Sequence, residues 1–418
     1  MVHSPKTEPD PQASAAGMGR VAVLALGVFA VGTGEFVLAG LLPMLVDAFD
    51  VSVARAGQII TVFALTCAVS APVLTTLTAT WRRRTVLVTA IMIYLLGAAG
   101  TALAGSYGQI IAAQIVAAAG VGLYIPNASV TAATLVAPRL YGRAIALVVT
   151  GFTAAVAFGA PLGTALGGLL DWRATMWFTA ALALVGLAGV LAFVPGDVRV
   201  TSAGGLRARL QPLSDRRVLA LLATTLVAFT AVFIPYTYIG VIYAPATGDS
   251  AVALAVLMFT GGVAGAIGNL AAGFFTDRIG GARVVTVALI WLATGLVLVP
   301  LATSHFGAAL AMIALYVMAA FAITTPQQHR LIAVRPEATP VVLSLNQSVL
   351  YLAIAMSGLL GAAGIGLVGA RYVSLLAALL ALLALGLSHI AHRLAGGSPD
   401  PKGTATVDGS LTSTSMAR

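Results

Sequence analysis

The sequence contains very few charged residues. Only 8% of its 418 residues are Asp, Glu, Lys or Arg, while 60% are hydrophobic, and the mean hydropathy is +1.02. Soluble globular domains carry about 25% charged residues, so this composition excludes that class. Cysteine is nearly absent as well. Because Cys67 is the only one, a disulfide within the chain is excluded, and we expect Cys67 to be a small packing residue.

Acidic residues are missing from the long apolar runs, with one exception. A membrane-spanning helix needs roughly 20 mostly apolar residues. Twelve runs meet this requirement, near residues 21–46, 57–79, 85–104, 109–136, 144–170, 174–195, 218–243, 251–275, 284–303, 307–328, 341–368 and 371–392. They predict an all-α membrane protein with twelve transmembrane helices. The exception is Glu35, in the first run. A charged carboxylate at mid-bilayer costs at least ~2.5 kcal/mol, so such residues usually carry protons, ions or substrate.

Basic residues are nearly absent from one side of the predicted membrane. When the N-terminus is assigned to the cytoplasm, all 22 Lys and Arg fall on the cytoplasmic side except Arg55, Arg173 and Arg371. The positive-inside rule therefore predicts that both termini are cytoplasmic. The net charge of +9 is then a consequence of topology. We expect a multi-pass protein of the cell membrane, with the lipid bilayer and not nucleic acid as its surroundings.

The predicted helices form two groups of six, separated by a polar segment. We expect an N-terminal half at 20–195, a cytoplasmic linker at 196–217 and a C-terminal half at 218–393. The ends of the chain, 1–19 and 394–418, are rich in polar and small residues and are predicted to be disordered cytoplasmic tails.

The two halves repeat each other in sequence. Pro126 on the fourth helix matches Pro326 on the tenth, with 326 − 126 = 200. Arg173 follows the Gly-rich fifth helix and Arg371 the Gly-rich eleventh, with 371 − 173 = 198. Parallel repeats of this kind characterise a large class of transporters, whose substrate site lies between the halves near the midplane.

Three segments resemble a known family. They are Gly32–Pro43 in the first helix, Gly151–Gly168 in the fifth, and Gly273–Arg283 after the eighth. Together they are similar to the major facilitator superfamily, in its twelve-helix drug:proton antiporter branch, and to bacterial exporters of the chloramphenicol-resistance and sugar-efflux type. The resemblance covers about residues 20–393. It implies two six-helix halves that move against each other around a central site.

The first of these segments points to a role for Glu35. Gly32, Gly34 and Gly40 permit close helix approach, and Glu35 is expected to face the protein interior because lipid would not tolerate it. We interpret Glu35 as the proton-coupling residue. The alternative is a permanently neutral carboxyl that bonds two helices.

The fifth-helix segment resembles the antiporter motif of the family. Its members here are Gly151, Gly159, Pro161, Gly163 and Gly167. The last three glycines recur every four residues, which predicts a smooth stripe along which another helix slides, and Pro161 removes a backbone hydrogen bond and bends the helix. Ordinary tight packing is the alternative, because small residues at this spacing are common in membrane helices.

The third segment is similar to the cytoplasmic loop motif of the superfamily. The resemblance implies a cytoplasmic gate at Asp277, Arg278, Gly280 and Arg283, in which the glycine allows a tight turn and the charges form ion pairs. A solvated cluster of loop charges is the alternative. The corresponding loop of the first half ends in Trp81 and three arginines and has no acid, so the gate is expected to be asymmetric.

One departure from the family concerns the fourth helix. Family members often carry an Arg there that takes part in proton transfer, and we place Gln114 at that position. Glu35 must then act without a charged partner from that helix.

Seven polar side chains are predicted to line the substrate cavity: Thr33, Gln114, Asn127, Tyr236, Tyr238, Gln327 and Asn346. Apart from Arg371, the first residue of the last run, no Lys or Arg lies inside the apolar runs, which disfavours a strongly anionic substrate.

These observations favour a secondary-active exporter that expels a small hydrophobic or amphipathic compound in exchange for protons. The alternative is a carrier that exports or takes up a sugar, nucleobase or nucleoside, with Glu35 structural. The sequence has no Gly-x-x-x-x-Gly-Lys-Ser/Thr and no His-Glu-x-x-His, so neither an ATP-driven pump nor an enzyme is expected. We predict no cofactor or metal, and a monomer.

Overall fold

The computed structural model describes residues 11–198 and 211–396. The outer parts of the two predicted tails, 1–10 and 397–418, and most of the predicted linker, 199–210, lie outside these ranges. In the described part of the chain, twelve helices are long and apolar enough to cross a membrane. This confirms the predicted number.

The membrane-spanning helices are numbered here in chain order. They are α1 (Pro11–Phe49), α2 (Val53–Leu77), α3 (Arg83–Ala102), α4 (Tyr107–Thr134), α5 (Tyr141–Leu169), α6 (Trp172–Phe193), α7 (Arg216–Thr237), α8 (Ala251–Ile279), α9 (Gly281–Ala302), α10 (Phe306–Val334), α11 (Thr339–Val368) and α12 (Val373–Gly396). α10 is interrupted by a turn at 322–323. Two single-turn helices, Ile239–Ile242 and Ala244–Thr247, connect α7 to α8.

Local sequence signals account for several helix ends. The side chains of Ser52, Ser106 and Ser250 accept a hydrogen bond from the backbone N–H three residues later, at the starts of α2, α4 and α8. Such caps satisfy a helix N–H that has no partner in its own helix. Gly280 alone separates α8 from α9, with φ of 85° and ψ of 144°. Only glycine adopts this conformation readily, and it lets α9 follow α8 after a single residue.

The same helix pairs pack in both halves. In the first half α1 packs on α5 and α6, α2 on α4, and α3 on α4 and α6. In the second half α7 packs on α11 and α12, α8 on α10, and α9 on α10 and α12. Adding six to each helix number of the first set gives the second. The sequence repeat is therefore matched by a repeat of packing, as a duplicated bundle requires.

The bundle has two ends, which are distinguished by their loops. Near residues 194–215, at what we call the linker end, Arg84 donates to the Leu191 carbonyl, and Asp215 pairs with Arg335 at 3.1 Å. At the opposite end, the Tyr107 hydroxyl donates to the Arg55 carbonyl at 2.7 Å. The basic residues concentrate at the linker end, which the positive-inside rule predicts to be cytoplasmic.

The two halves meet along α2 with α11 and along α5 with α8. Several of these contacts lie toward the opposite end. Gly168 near the end of α5 faces Ala251 at the start of α8, and Gly57 of α2 faces Tyr238 after α7. The contacts of α5 with α8 come mainly from the second half of α5, after Ala154. The opposite end is thus closed by direct packing of one half on the other.

Candidate functional site

Glu35 lies on α1 at the contact between the two halves. Its carboxylate Oε2 accepts a hydrogen bond of 3.3 Å from the hydroxyl of Tyr351, on α11 of the other half. Its Oε1 has no hydrogen-bond partner among the described residues, and Glu35 is only 8% exposed. A buried acid with one free oxygen is costly, and such groups mark functional sites more often than structural ones.

Two internal cavities flank the middle of α1. The first, which we call the Glu35 cavity, is a narrow space. It is lined by Glu35, Phe36, Ala39, Ile60, Phe63, Ala64, Phe233, Tyr236, Thr237 and Ile354. None of these lining residues is basic. The carboxylate therefore faces an apolar and aromatic space that lies between the halves.

The second cavity is lined mainly by the C-terminal half and is equally narrow. We call it the Tyr316 cavity. It is lined by Phe36, Val156, Val232, Phe233, Tyr236, Ile239, Leu257, Met258, Gly261, Gly262, Ile313, Tyr316, Val317 and Phe321. No charged residue is among them. Tyrosine hydroxyls and the backbone are its only sources of hydrogen bonds.

An aromatic partition separates the two cavities. Phe36, Phe233 and Tyr236 line both of them. The Tyr236 ring meets each of the two phenylalanine rings edge to face, with centroids 6.0 Å apart in both pairs. The Tyr236 hydroxyl also donates to the Phe36 carbonyl at 3.4 Å. Rings in this arrangement attract each other, so the partition is held by both halves.

The glycine stripe of α5 packs against α1. Gly159, Gly163 and Gly167 face Thr33, Val37 and Leu41, and Gly151 faces the Ala25 carbonyl. Each of these glycines faces the α1 residue 126 positions earlier in the chain, since 151 − 25 and 167 − 41 both equal 126, so the two helices keep a constant register. The close approach predicted for the antiporter motif is present, and its partner is a helix of the same half.

Pro161 follows a widened turn in α5. Residues Ala155–Gly159 form a short π-helical segment directly before it. A proline removes one backbone hydrogen bond, and a π turn is a common way for a helix to accommodate such a defect. Ala157 in this segment packs on Gly262 of α8, where the two halves touch. The irregular turn therefore lies at the boundary between the halves.

The amides predicted to line the cavity lie in hydrogen-bonded pairs. Gln114 donates to Thr101 of α3 at 3.0 Å, and Asn346 accepts from Thr225 of α7 at 2.9 Å. Their hydrogen bonds join helices within one half, as polar groups in membrane interiors commonly do.

Asn127 and Gln327, which the repeat places in corresponding positions, each bond an arginine near the linker end. Arg83 donates to the Asn127 amide oxygen at 2.6 Å, and Arg330 to that of Gln327 at 3.2 Å. Arg83 is 4% exposed. The sequence did not suggest a buried arginine, because both arginines lie just beyond the apolar runs. The helices extend past those runs and include them.

Of the seven predicted cavity residues, Tyr236 lines the cavities, and the other six lie outside both linings. Thr33 donates to the Phe29 carbonyl of its own helix and packs on Gly159. Tyr238 lies between two glycines. Its hydroxyl is next to Gly57 of α2, its ring is next to Gly361 of α11, and the hydroxyl donates to the Gly358 carbonyl at 2.7 Å. It fills the contact between halves at the opposite end.

At the linker end, the charged side chains of the proposed gate do not form ion pairs with one another in the described part of the chain. Asp277 and Arg283 are exposed, and Arg278 lies over the Phe274 ring at 3.9 Å. Within the described ranges, Asp277 forms no ion pair. An exposed, unpaired Asp277 fits a linker end that is not held closed by this motif.

The ion pairs of the linker end centre instead on Asp215. It pairs with Arg217 and Arg335, both at 3.1 Å. Burial acts to raise the pKa of Asp215, but hydrogen bonds from Arg217 and Arg335 outweigh burial and lower it below the ordinary value. This network ties the start of α7 to the connection between α10 and α11. It lies within the C-terminal half.

Sequence comparison with known proteins places the chain in a family. The sequence profile of the Major Facilitator Superfamily matches residues 24–358. The chain is 31% identical to the MFS-type transporter YbcL of Bacillus subtilis (strain 168) over 359 residues, 85% of this chain and 90% of that protein. It is also 31% identical to the inner membrane transport protein YdhP of Escherichia coli (strain K12) over 377 residues, 88% of this chain and 95% of that protein.

A further relative carries a more specific name. The chain is 34% identical to a chloramphenicol resistance protein of Streptomyces lividans over 261 residues, 61% of this chain and 66% of that protein. The profile match, the twelve apolar helices and the repeated packing of two six-helix halves agree with one another. The chain belongs to the major facilitator superfamily of membrane transporters.

Proposed function

We propose that this transporter exports a small hydrophobic or amphipathic compound in exchange for protons, by alternating access. The observation that carries the proposal is the position of Glu35. Among the described residues it is the only acidic residue buried within a membrane-spanning helix, and its hydrogen bond to Tyr351 crosses between the halves. A change in the charge of Glu35 therefore acts on a contact that must change when the halves rock.

The Tyr351 bond gives the coupling a physical basis. A hydroxyl that donates to an ionised carboxylate makes a stronger bond than one that donates to a neutral carboxyl. Ionised Glu35 accordingly favours the arrangement in which α1 and α11 are joined here, and protonation weakens that preference. A ligand or proton shifts a transporter between states only through such a difference in free energy between them.

The lining of the cavities supports an apolar or amphipathic substrate. Aliphatic and aromatic side chains dominate both spaces, and neither is lined by a basic residue that would hold an anion. The likeness to a chloramphenicol resistance protein supports an uncharged aromatic drug as cargo. A sugar would need several polar partners, which these walls supply poorly.

The decisive experiment measures export driven by a pH gradient. The full-length protein is reconstituted in vesicles, and uptake of radiolabelled chloramphenicol into inverted vesicles is followed with an imposed gradient. We expect Glu35→Gln to abolish gradient-driven transport while exchange of labelled for unlabelled compound continues, because Gln cannot carry the proton. Glu337→Gln removes an acid whose side chain is 65% exposed, and serves as the matched control.

Three results would count against the proposal. Gradient-driven transport by Glu35→Gln at the wild-type rate would remove Glu35 from the coupling. Equal loss in Glu337→Gln would show a general effect of removing an acid. Accumulation that runs with the proton gradient, in the direction of uptake, would favour the import carrier.

A further inference from the structure

One face of α11 carries a row of polar side chains that leads to Glu35. Ser344 is followed three and four residues later by Gln347 and Ser348, and these are followed at the same spacings by Tyr351. A helix brings residues at such spacings to one face. Because α11 begins at the linker end, Ser344 lies nearest that end and Tyr351 nearest the carboxylate.

Burial increases along this row toward Glu35. Ser344 is exposed, Gln347 is half-buried, and Tyr351 is buried. The Tyr351 hydroxyl donates to Glu35 and is also hydrogen-bonded to the Gln347 side chain, so the amide N–H of Gln347 is the donor in that second bond. A continuous hydrogen-bonded connection therefore runs from the buried carboxylate to a half-buried amide one helical turn closer to the linker end.

Toward the opposite end the same face of α11 changes character. Tyr351 is followed at these spacings by Ala355 and Gly358, which pack directly on α2. The Thr61 hydroxyl donates to the Ala355 carbonyl at 3.4 Å, and Gly358 faces the same threonine. Close packing of small residues excludes water. The connection from Glu35 therefore leads to the linker side.

The neighbours of Glu35 on the other helices do not compete for its proton. Those that interact with it electrostatically are Cys67 of α2, Tyr94 of α3 and Tyr236 of α7. They are a thiol and two phenols, which ordinarily keep their protons near pH 7. None of the three is a carboxylate, a histidine or a lysine. Tyr351 differs from them in being bonded both to Glu35 and to a half-buried polar side chain.

We propose that Glu35 exchanges its proton with the linker side through Tyr351 and Gln347. The neutral Glu35 carboxyl gives its proton to the Tyr351 oxygen while the hydroxyl gives its own proton to a water molecule beside Gln347. One O–H bond breaks on each residue, one forms on Tyr351 and one on the water. Glu35 ends ionised, Tyr351 stays neutral, and the proton leaves as hydronium. The reverse sequence loads Glu35 again.

Gln347 carries no proton in this scheme and is a positioning residue. Its amide holds the Tyr351 hydroxyl between the carboxylate and water, since an amide can donate to the phenol oxygen and accept from water at once. The inference rests on the proposed function, in which Glu35 is the coupling residue. Its test follows the protonation of Glu35 directly and needs no substrate.

The test measures how fast Glu35 takes up a proton in the full-length protein in detergent. A laser flash releases protons from a caged compound, and time-resolved infrared spectroscopy follows the carboxyl band that Glu35→Gln lacks. We expect Gln347→Met, which keeps the side-chain length, to slow the appearance of this band about tenfold, the effect of one hydrogen bond. Tyr351→Phe should slow it at least as much.

Two comparisons separate positioning from a general structural effect. In a protein that carries Tyr351→Phe, Gln347→Met should slow protonation no further, because Gln347 acts only through the hydroxyl. Asn269→Leu removes another half-buried amide of the C-terminal half, which accepts from Thr325 at 2.8 Å. This control should protonate Glu35 at the wild-type rate.

Access from the linker side is tested by labelling. Ser344→Cys in a Cys67→Ser background should react with a membrane-impermeant thiol reagent in inverted vesicles and remain unlabelled in right-side-out vesicles. Labelling from neither side would place Ser344 against lipid and overturn the route. Labelling from the other side alone would also overturn it.

The proposal is likewise overturned if Gln347→Met protonates Glu35 at the wild-type rate, if its effect adds to that of Tyr351→Phe, or if Asn269→Leu slows protonation equally. These outcomes differ from a failure of the proposed function. If Glu35→Gln still exports with the pH gradient while the protonation rates follow the expected pattern, the coupling is wrong and the proton route stands.

Discussion

At the scale of single residues, the contact between Glu35 and Tyr351 is the most consequential. The two residues are 316 positions apart in the chain and lie in different halves. Glu35 could be identified from the sequence, because one acid in an apolar run is conspicuous. Tyr351 could not, since it is one of 10 tyrosines, and nothing in its local pattern identifies the residue it bonds.

Removing the Tyr351 hydroxyl tests whether this bond links the proton to the motion of the halves. We expect Tyr351→Phe to fold and insert normally and to lower the rate of gradient-driven export by about tenfold or more, as expected for one hydrogen bond to a charged group. The rate is measured in inverted vesicles as a function of pH.

The matched comparison is a double substitution. In a protein that already carries Glu35→Gln, Tyr351→Phe should have little further effect on substrate exchange, because the two residues act through one contact. Tyr94→Phe removes a buried hydroxyl near Gly34 in the same half as Glu35, and should change transport less. Independent, additive effects of the two substitutions would contradict the coupling role.

The polar cavity residues show what the sequence could not supply at this scale. Asn127 and Gln327 are polar residues in apolar helices, which suggests a site, but each is bonded to a nearby arginine. Whether a polar side chain faces a cavity or a neighbouring helix depends on the rotation of the helix within the bundle. That rotation is fixed by packing against several other helices, and the chain order alone does not reveal it.

At the scale of elements, the pairing of α1 with α5 is the clearest finding. The spacing of the α5 glycines predicted a close helix contact, and this contact is present. Its partner could not be read from the sequence, because a stripe of small residues fits any helix that offers complementary side chains. In the structure the stripe joins α5 to the helix that carries Glu35.

The effect of a larger side chain at Gly163 can be measured as a loss of stability. A Cβ on Gly163 would lie 2.7 Å from a Val37 methyl and 3.0 Å from a Thr175 methyl. Gly163→Leu should therefore separate α1 from α5 and destabilise the protein by about 1–3 kcal/mol, the usual cost of overpacking. We expect a lower thermal midpoint in detergent together with reduced transport.

Gly142→Leu is the control for this prediction. Gly142 lies in the same helix, and a Cβ there has no neighbour within 4 Å. Its thermal midpoint and transport should remain close to those of the wild type. An unchanged midpoint in Gly163→Leu, with transport blocked, would instead support a stripe that slides during the cycle.

At the scale of the whole molecule, the sequence predicted the architecture well. Twelve apolar runs and a repeat of about 200 residues were sufficient for the two-half bundle, because both depend on composition and order along the chain. The conformational state of the bundle could not be predicted in this way. Which end is closed depends on contacts such as that of Gly168 with Ala251, whose energies differ little between states of one sequence.

Closure of the opposite end can be tested by locking it. A Cβ on Gly358 would lie 3.4 Å from the Cβ of Thr61, close to the spacing of about 3.5–4.5 Å found in disulfides. We expect Thr61→Cys with Gly358→Cys, in a Cys67→Ser background, to form a disulfide under oxidation and to stop transport. Reduction should restore it.

Each single cysteine substitution serves as the control and should transport under both conditions. If the oxidised double variant transports at the wild-type rate although mass spectrometry confirms the disulfide, this contact does not open during the cycle.

The position of Tyr238 has an evolutionary consequence. Its side chain occupies the space left by Gly57 in one half and Gly361 in the other, so the three positions share a single volume. None of them is free to vary alone: a methyl group at either glycine fits only if the aromatic ring becomes smaller. Among natural variants of this transporter, changes at these three positions should therefore appear together, as a compensated set.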